Sequence, residues 1–158
     1  FQDRLMQAFR RAYRTNGELA VAVLDIDGFK QINDTYGHLG GDAVLTFAGR
    51  LIANMFRVDD IPCRFGGEEF CVLVRNCNEE QAQQQANLVV DKFRQSVIRL
   101  PEYDEVKITI SAGISEHISG QQLLKTIQAA DVALYRAKHS GRNQVQRFSG
   151  KMSIESTE

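Results

Sequence analysis

Leu19-Ala20-Val21-Ala22-Val23-Leu24-Asp25-Ile26-Asp27-Gly28 is the stretch whose reading decides the fold. Its first six residues are apolar, rich in Val and uninterrupted. That is the pattern of a strand buried on both faces, and therefore central in a sheet. The run then ends in two acids one residue apart. Charged groups at the end of a buried strand cost free energy unless a cation or hydrogen-bond donors meet them. The stretch predicts a sheet and a chemically active end to it.

Outward from this strand the pattern alternates. Upstream, Phe1, Leu5, Phe9 and Tyr13 recur every fourth residue, an amphipathic helix closed by Asn16-Gly17. Downstream, residues 29–34 read as a short helical piece, followed by Gly37, Gly40 and Gly41. Asp42 stands where an N-cap would open a second helix carrying Leu45, Phe47, Ala48, Leu51, Ile52, Met55 and Phe56. Residues 61–65 and 70–74 read as two short strands joined through Gly66-Gly67, a pair that tolerates the positive φ of tight hairpins. Asn78 with Gln81 forms a capping-box pattern before a helix bearing Ala82, Ala86, Val89, Phe93 and Val97. Pro101 falls in the exit loop, and residues 106–115 read as a strand. Ser119 with Gln122 resembles another cap, before Leu123, Ile127, Ala130, Leu134 and Ala137. Gly141 ends that helix, and residues 144–148 read as an edge strand. The order α β α α β β α β α β predicts an α+β domain, a mixed sheet covered by helices.

Composition sets the bounds. A length of 158 residues suits one compact domain, and 43% apolar with 25% charged residues is ordinary for a globular chain. A net charge of −1 gives no reason to expect a nucleic-acid partner. No apolar run approaches the roughly 20 residues of a membrane span, and no signal peptide is visible, so the expectation is a cytoplasmic domain without membrane contact. The chain opens at Phe1 without an initiator Met, as a piece of a longer protein would. Cys63, Cys71 and Cys77 have neither zinc-ligand nor redox-pair spacing, so they read as reduced thiols.

Three polar clusters could carry chemistry. Asp25 and Asp27 end the central strand, and Glu68-Glu69 follow the glycine pair. If the hairpin pairs beside the first strand, Asp25 and Glu68 converge on one cation. Carboxylates without His or Cys favour Mg²⁺, or Mn²⁺, over zinc. Lys138 and Arg142 form the third cluster, a phosphate clamp by type, with Lys30 a separate candidate. Each cluster also has a plain reading: solvated acids at a hairpin tip, an Asp cap, and bases that complement a helix dipole. No P-loop and no dinucleotide-binding glycine fingerprint is present.

Four segments together carry a resemblance. They are Asp25-Ile26-Asp27-Gly28-Phe29-Lys30-Gln31-Ile32-Asn33-Asp34, Gly37-His38-Leu39-Gly40-Gly41-Asp42, Arg64-Phe65-Gly66-Gly67-Glu68-Glu69-Phe70, and Ala130-Asp131 running through Tyr135 and Lys138 to Gly141-Arg142-Asn143. With them the chain resembles a GGDEF domain in its GGEEF form. The resemblance implies a central mixed five-stranded sheet, ferredoxin-like and akin to the palm of nucleotide cyclases. It implies a catalytic domain over residues 1–148 and an upstream sensor or signalling region, while the polar composition of 149–158 reads as a disordered tail. The implied activity is that of a diguanylate cyclase, which condenses two GTP into cyclic di-GMP and two pyrophosphates. Asp25, Glu68 and the Ile26 backbone carbonyl would hold Mg²⁺, with Glu69 beside the metal and the reacting 3′-hydroxyl. Asn33 and Asp42 would bind guanine, with His38 beside the nucleotide. Lys30, Lys138, Arg142 and the backbone near Phe29 would hold the phosphates. Each domain would bind one GTP, so a homodimer is implied. Arg57-Val58-Asp59-Asp60 matches the family's R-x-x-D product-inhibition site, through Arg57 and Asp60. The alternative of another class is a non-catalytic GTP or cyclic di-GMP receptor.

Overall fold

A computed structural model describes residues 2–13, 18–103 and 105–149. The Asn16-Gly17 turn and the tail from residue 150 onward lie outside the described residues. The elements run α1 (Gln2–Tyr13), β1 (Leu19–Ile26), α2 (Phe29–Met55), β2 (Ile61–Arg64), β3 (Glu69–Arg75), α3 (Glu79–Gln95), β4 (Ile98–Arg99), β5 (Glu105–Val106), β6 (Ile110–Glu116), α4 (Leu123–His139) and β7 (Val145–Arg147).

Five strands form one sheet in the order β2-β3-β1-β6-β7. β1 is central, as its unbroken apolar run requires, and is antiparallel to both β3 and β6. β7 joins β6 in parallel, which makes the sheet mixed. The two-residue period of a strand divides β1 between two cores. Ala20, Ala22, Leu24 and Ile26 pack with α2 and α3, whereas Leu19, Val21 and Val23 pack with Leu5 of α1 and with Leu123, Ile127, Ala130 and Leu134 of α4. Gly113 of β6 sits directly under α4. A Cβ there would lie 2.0 Å from the Ala130 carbonyl oxygen and 2.3 Å from the Leu134 nitrogen. The missing side chain sets the depth at which α4 rests on the sheet.

The Asn78 capping box is present: Gln81 N donates to Asn78 Oδ1 (2.9 Å) and Asn78 N donates to Gln81 Oε1 (3.1 Å). Four local expectations are corrected. The two helices expected here are both present within α2, but the break between them falls at Gly37, where φ is +73° and ψ 175°, so Asp42 lies inside the second helix rather than at its cap. The strand expected over 106–115 is interrupted, with β5 pairing with β4 as a separate ribbon and β6 starting at Ile110. Within that interruption Thr109 turns its carbonyl to the Asp27 N–H (3.0 Å) instead of to a ladder. Ser119 is not the cap of α4, which starts at Leu123 with Gln122 at the capping position. Val97 lies beyond the end of α3 and is partly exposed. Among the described residues no helix is long and apolar enough to cross a membrane.

Candidate active site

Register brings the acids together. β1 pairs with β3 so that Asp25 faces Glu69, and with β6 so that Asp25 faces Ser111. Just past Glu69 toward the turn, the Glu68 carbonyl accepts from Ile26 N (3.3 Å). The turn itself is held by Phe65 N and Gly66 N donating to the Glu69 carbonyl (2.7 and 3.1 Å), and by the Arg64 guanidinium donating to the Gly66 and Gly67 carbonyls. Neither Gly66 nor Gly67 adopts a left-handed φ, contrary to the expectation for this hairpin. The four-residue loop closes without it. A Cβ on Gly67 would meet nothing within 4 Å, so what this glycine leaves at the turn is open space.

The third wall is the end of α4. Asp131 and Lys138 are seven residues apart, two turns, and so share a face of that helix. The Lys138 ammonium reaches Asp25 Oδ1 (2.7 Å), Asp27 Oδ1 (2.8 Å), the Ile26 carbonyl (3.2 Å) and the Asp25 carbonyl (3.4 Å). Asp131 meets Glu69. Burial, a hydrogen bond to Asp131 and the nearby Asp131, Asp25 and Glu68 charges push the Glu69 carboxyl up to about 8. Burial raises Asp25 above its ordinary value in spite of Lys138. Burial and then Asp25 raise Glu68, while Lys138 works against them. Crowded acids of this kind mark a place where positive charge is wanted.

Asp27, expected only as part of the acidic cluster and with no role of its own, behaves differently from Asp25. Burial alone would raise its pKa, yet hydrogen bonds from Lys138, Ser111 and Thr109 hold it below the usual carboxylate value. Asp131, Thr109, Ser111 and Asn143 were likewise unassigned. Asp131 opens one of the segments that carry the resemblance, and it is a lone acid in the apolar stripe of α4, two turns before Lys138.

The remaining expected residues fall into separate places. Phe29 is buried in the core, which leaves only its backbone for a ligand. The Asn33 carboxamide lies over Gly41, where a Cβ would sit 1.8 Å from Asn33 Oδ1, and Asp42 is the next residue along α2. Lys30, His38, Asp42 and Arg142 are exposed. Arg57 and Asp60 lie at the opposite end of β3, about 20 Å along the strand from Glu69. There the Asp60 carboxylate, only 1% exposed, accepts from Arg57 N (2.9 Å) and Arg75 N (3.0 Å) and pairs with Arg57 Nε (3.5 Å). The Arg57 guanidinium also donates to the Arg75 carbonyl. A hollow of about 180 Å³ opens beside them, lined by Val74, Asn76 and Gln81 among others. Larger hollows, of about 490 Å³ beside Phe47 and Arg50 and about 540 Å³ beside Tyr36 and Tyr103, are away from the acids. A further hollow, of about 270 Å³, is lined by Asp27, Gly28 and Thr109, so it opens beside the acids at the end of the central strand.

Among the described residues no three acidic, His or Cys side chains are arranged to hold a metal ion by themselves. The fit is of another kind. One carboxylate of β1 and two successive backbone carbonyls already converge on a single cation, the Lys138 ammonium, with Glu68 close enough to feel both Asp25 and Lys138. Few carboxylates, hard oxygen donors and no nitrogen or sulfur suit Mg²⁺ that keeps coordination sites for water and phosphate.

A strand end bearing two acids, a Gly-Gly-Glu-Glu turn beside it and a basic helix terminus form the centre of a known class. The sequence profile described as diguanylate cyclase, GGDEF domain, matches residues 1–144, and the chain belongs to that family. Over 147 residues it is 38% identical to the diguanylate cyclase DgcP of Pseudomonas aeruginosa, covering 91% of this chain and 21% of that protein. Over 131 residues it is 40% identical to diguanylate cyclase A of Treponema denticola, covering 80% and 34%. The chain thus spans a fifth to a third of these relatives. Among solved structures, the active GGEEF domain of a diguanylate cyclase from Vibrio cholerae superposes with a TM-score of 0.81 at 32% identity, covering 92% of each chain. The GGDEF domain of DgcB from Caulobacter crescentus, in complex with c-di-GMP, gives 0.86 at 29% identity over 94% of this chain and 85% of that one. The five-stranded α+β fold is that of these domains.

Proposed function

We propose that this domain is an active diguanylate cyclase that joins two GTP into cyclic di-GMP. The observation that carries the reading is the convergence of Asp25, the Ile26 carbonyl, Glu68 and Glu69 at one sheet end beside Lys138. Mg²⁺ bound by Asp25, the Ile26 carbonyl and Glu68 would offset phosphate charge and make the 3′-hydroxyl more acidic. Asn33, which lies against Gly41, and the adjoining Asp42 bind the guanine edge. A carboxylate accepts from guanine N1 and N2 donors, which adenine does not present, so Asp42 selects GTP. Lys138, with Lys30 and Arg142 from the flanking segments, neutralises phosphate oxygens as pyrophosphate leaves. Glu69, whose pKa burial and its acidic neighbours raise to about 8, is the titratable group assigned beside the 3′-hydroxyl, and in its ionised form it accepts that proton. One domain holds one GTP, so the two hydroxyls and two α-phosphates of the ring closure require two copies face to face.

Product inhibition through Arg57 belongs to the same reading, with a division of labour. The Asp60 oxygens are engaged by backbone N–H groups, whereas the Arg57 side chain is 57% exposed, so Arg57 is the group that grips the product guanine.

The test is incubation of the domain, dimerised through a fused coiled coil, with GTP and Mg²⁺, and chromatography of the products. Cyclic di-GMP and pyrophosphate are expected, with none from ATP. Glu68→Gln should lower turnover by at least about a hundredfold at unchanged melting temperature. Absence of any cyclic product from the dimerised wild type would sink the reading.

A further inference from the structure

Asp27 makes more contacts than an acid at a strand end needs. Its Oδ1 accepts from Ser111 Oγ (2.7 Å) and Lys138 Nζ (2.8 Å), and its Oδ2 from Thr109 Oγ1 (2.7 Å) and Asn143 N (3.0 Å). Its side chain is 7% exposed. The donors come from β6 and its lead-in, from the last turn of α4, and from the loop after α4. That loop is an unusual piece of backbone. Arg142 and Asn143 are both left-handed, at φ 62° and 51°, a conformation that costs non-glycine residues free energy. Asn143 N donates to both Asp27 Oδ2 and Ser111 Oγ, and Arg142 N donates to the Ala137 carbonyl (2.9 Å).

We infer that Asp27 is a positioning residue for phosphate binding, holding Lys138 and the Arg142 loop in place against the sheet end. This rests on the cyclase reading above. An ammonium has three protons. Here Lys138 shares them among Asp25, Asp27 and the Asp25 and Ile26 carbonyls. Asp25 and the Ile26 carbonyl are the atoms assigned to the metal. Once they serve it, Asp27 is the acceptor left to Lys138, because its remaining lone pairs are committed to groups that do not move: two hydroxyls and one backbone N–H. Asp27 therefore keeps the ammonium at the rim and leaves its other protons for phosphate oxygens. Through Asn143 N it also fixes the loop that carries Arg142. Asp25 and Asp27 thus divide the work, one toward the metal and one toward the lysine.

The experiment compares wild type, Asp27→Asn, Lys138→Met and the double variant in the dimerised domain. The readouts are kcat, KM for GTP, the Kd of a non-hydrolysable GTP analogue with Mg²⁺, and the melting temperature. Asp27→Asn should raise KM and the analogue Kd by about tenfold, with a smaller fall in kcat. In the Lys138→Met background the same change should add no more than about threefold, because Asp27 acts largely through Lys138. A purely structural role would lower the melting temperature and leave KM unchanged. If Asp27→Asn does not fold, Thr109→Val, an isosteric change that removes one donor from the carboxylate, takes its place and should raise KM by about threefold. KM and Kd within about twofold of wild type, or the full tenfold effect persisting without Lys138, would overturn the proposal. A wild type that binds the analogue but makes no cyclic product would end the cyclase reading, while the binding readout still decides the role of Asp27. A wild type that does neither would overturn both.

Discussion

Glu69 sits among like charges. Asp131, Asp25 and Glu68 all raise its pKa, and burial adds to them, so its carboxyl titrates at about 8 rather than near 4.5. Folding therefore takes up a proton between those two values. A raised pKa in the folded state contributes stability that is complete below pH 4.5 and is lost as the pH climbs through about 8. Asp25 and Glu68 shift in the same direction, whereas Asp27, held low by its donors, contributes stability that is lost only in acid. In a chelating buffer the melting temperature should thus fall from about pH 5.5 to about pH 8.5. Glu69→Gln mimics the protonated acid and should flatten that fall. Because Glu69 is partly open to water, the gain at the alkaline end should be on the order of 1–2 kcal/mol, several degrees, rather than the full shift. Parallel melting curves for the two proteins would show that Glu69 is not the group responsible.

At the scale of elements, the site depends on where α4 lies. Asp131 and Lys138 reach the sheet end because α4 packs on Gly113 without an intervening side chain. Gly113→Ala forces the helix outward, since a methyl cannot share space with backbone atoms of Ala130 and Leu134. The cost should be about 1–3 kcal/mol of stability. Turnover should fall as well, because the shift carries Lys138 away from Asp25. A variant that melts lower but turns over normally would separate helix placement from catalysis. The turn before β2 makes a second case. Asp60→Ala strips partners from two backbone N–H groups and should cost about 2–4 kcal/mol, whereas Arg57→Ala should relieve product inhibition at an unchanged initial rate. Inhibition that survives Arg57→Ala would reduce the R-x-x-D motif to a turn. These elements differ in how plainly the sequence announces them. The central strand, the Asn78 box and the apolar stripe of α4 are readable because each is set by neighbours within a turn or a strand. The Gly37 break is not, because three glycines and a cap-like Asp42 offer equal local signals, and the choice rests on packing such as Asn33 against Gly41. Asp27 is legible as an acid that needs donors, but which donors is not, because its partners lie 82, 84, 111 and 116 residues away and only the folded sheet unites them.

For the whole molecule the question is how many chains make one reaction centre. A single domain gathers one set of acids, one basic helix end and one candidate guanine site. Closing a ring of two nucleotides needs two α-phosphates attacked by two hydroxyls, and a two-fold pair of domains supplies both with identical parts. The arithmetic of mixing distinguishes this from a chain that works alone. Wild type mixed and re-equilibrated with Glu68→Gln, at constant total protein, yields active pairs in proportion to the square of the wild-type fraction if both partners must be competent. Activity should therefore fall to about a quarter at equal amounts, and specific activity of the unfused domain should rise with concentration as pairs form. A linear fall in the mixture, together with concentration-independent specific activity, would show that each chain completes the reaction by itself and that the facing arrangement is not needed.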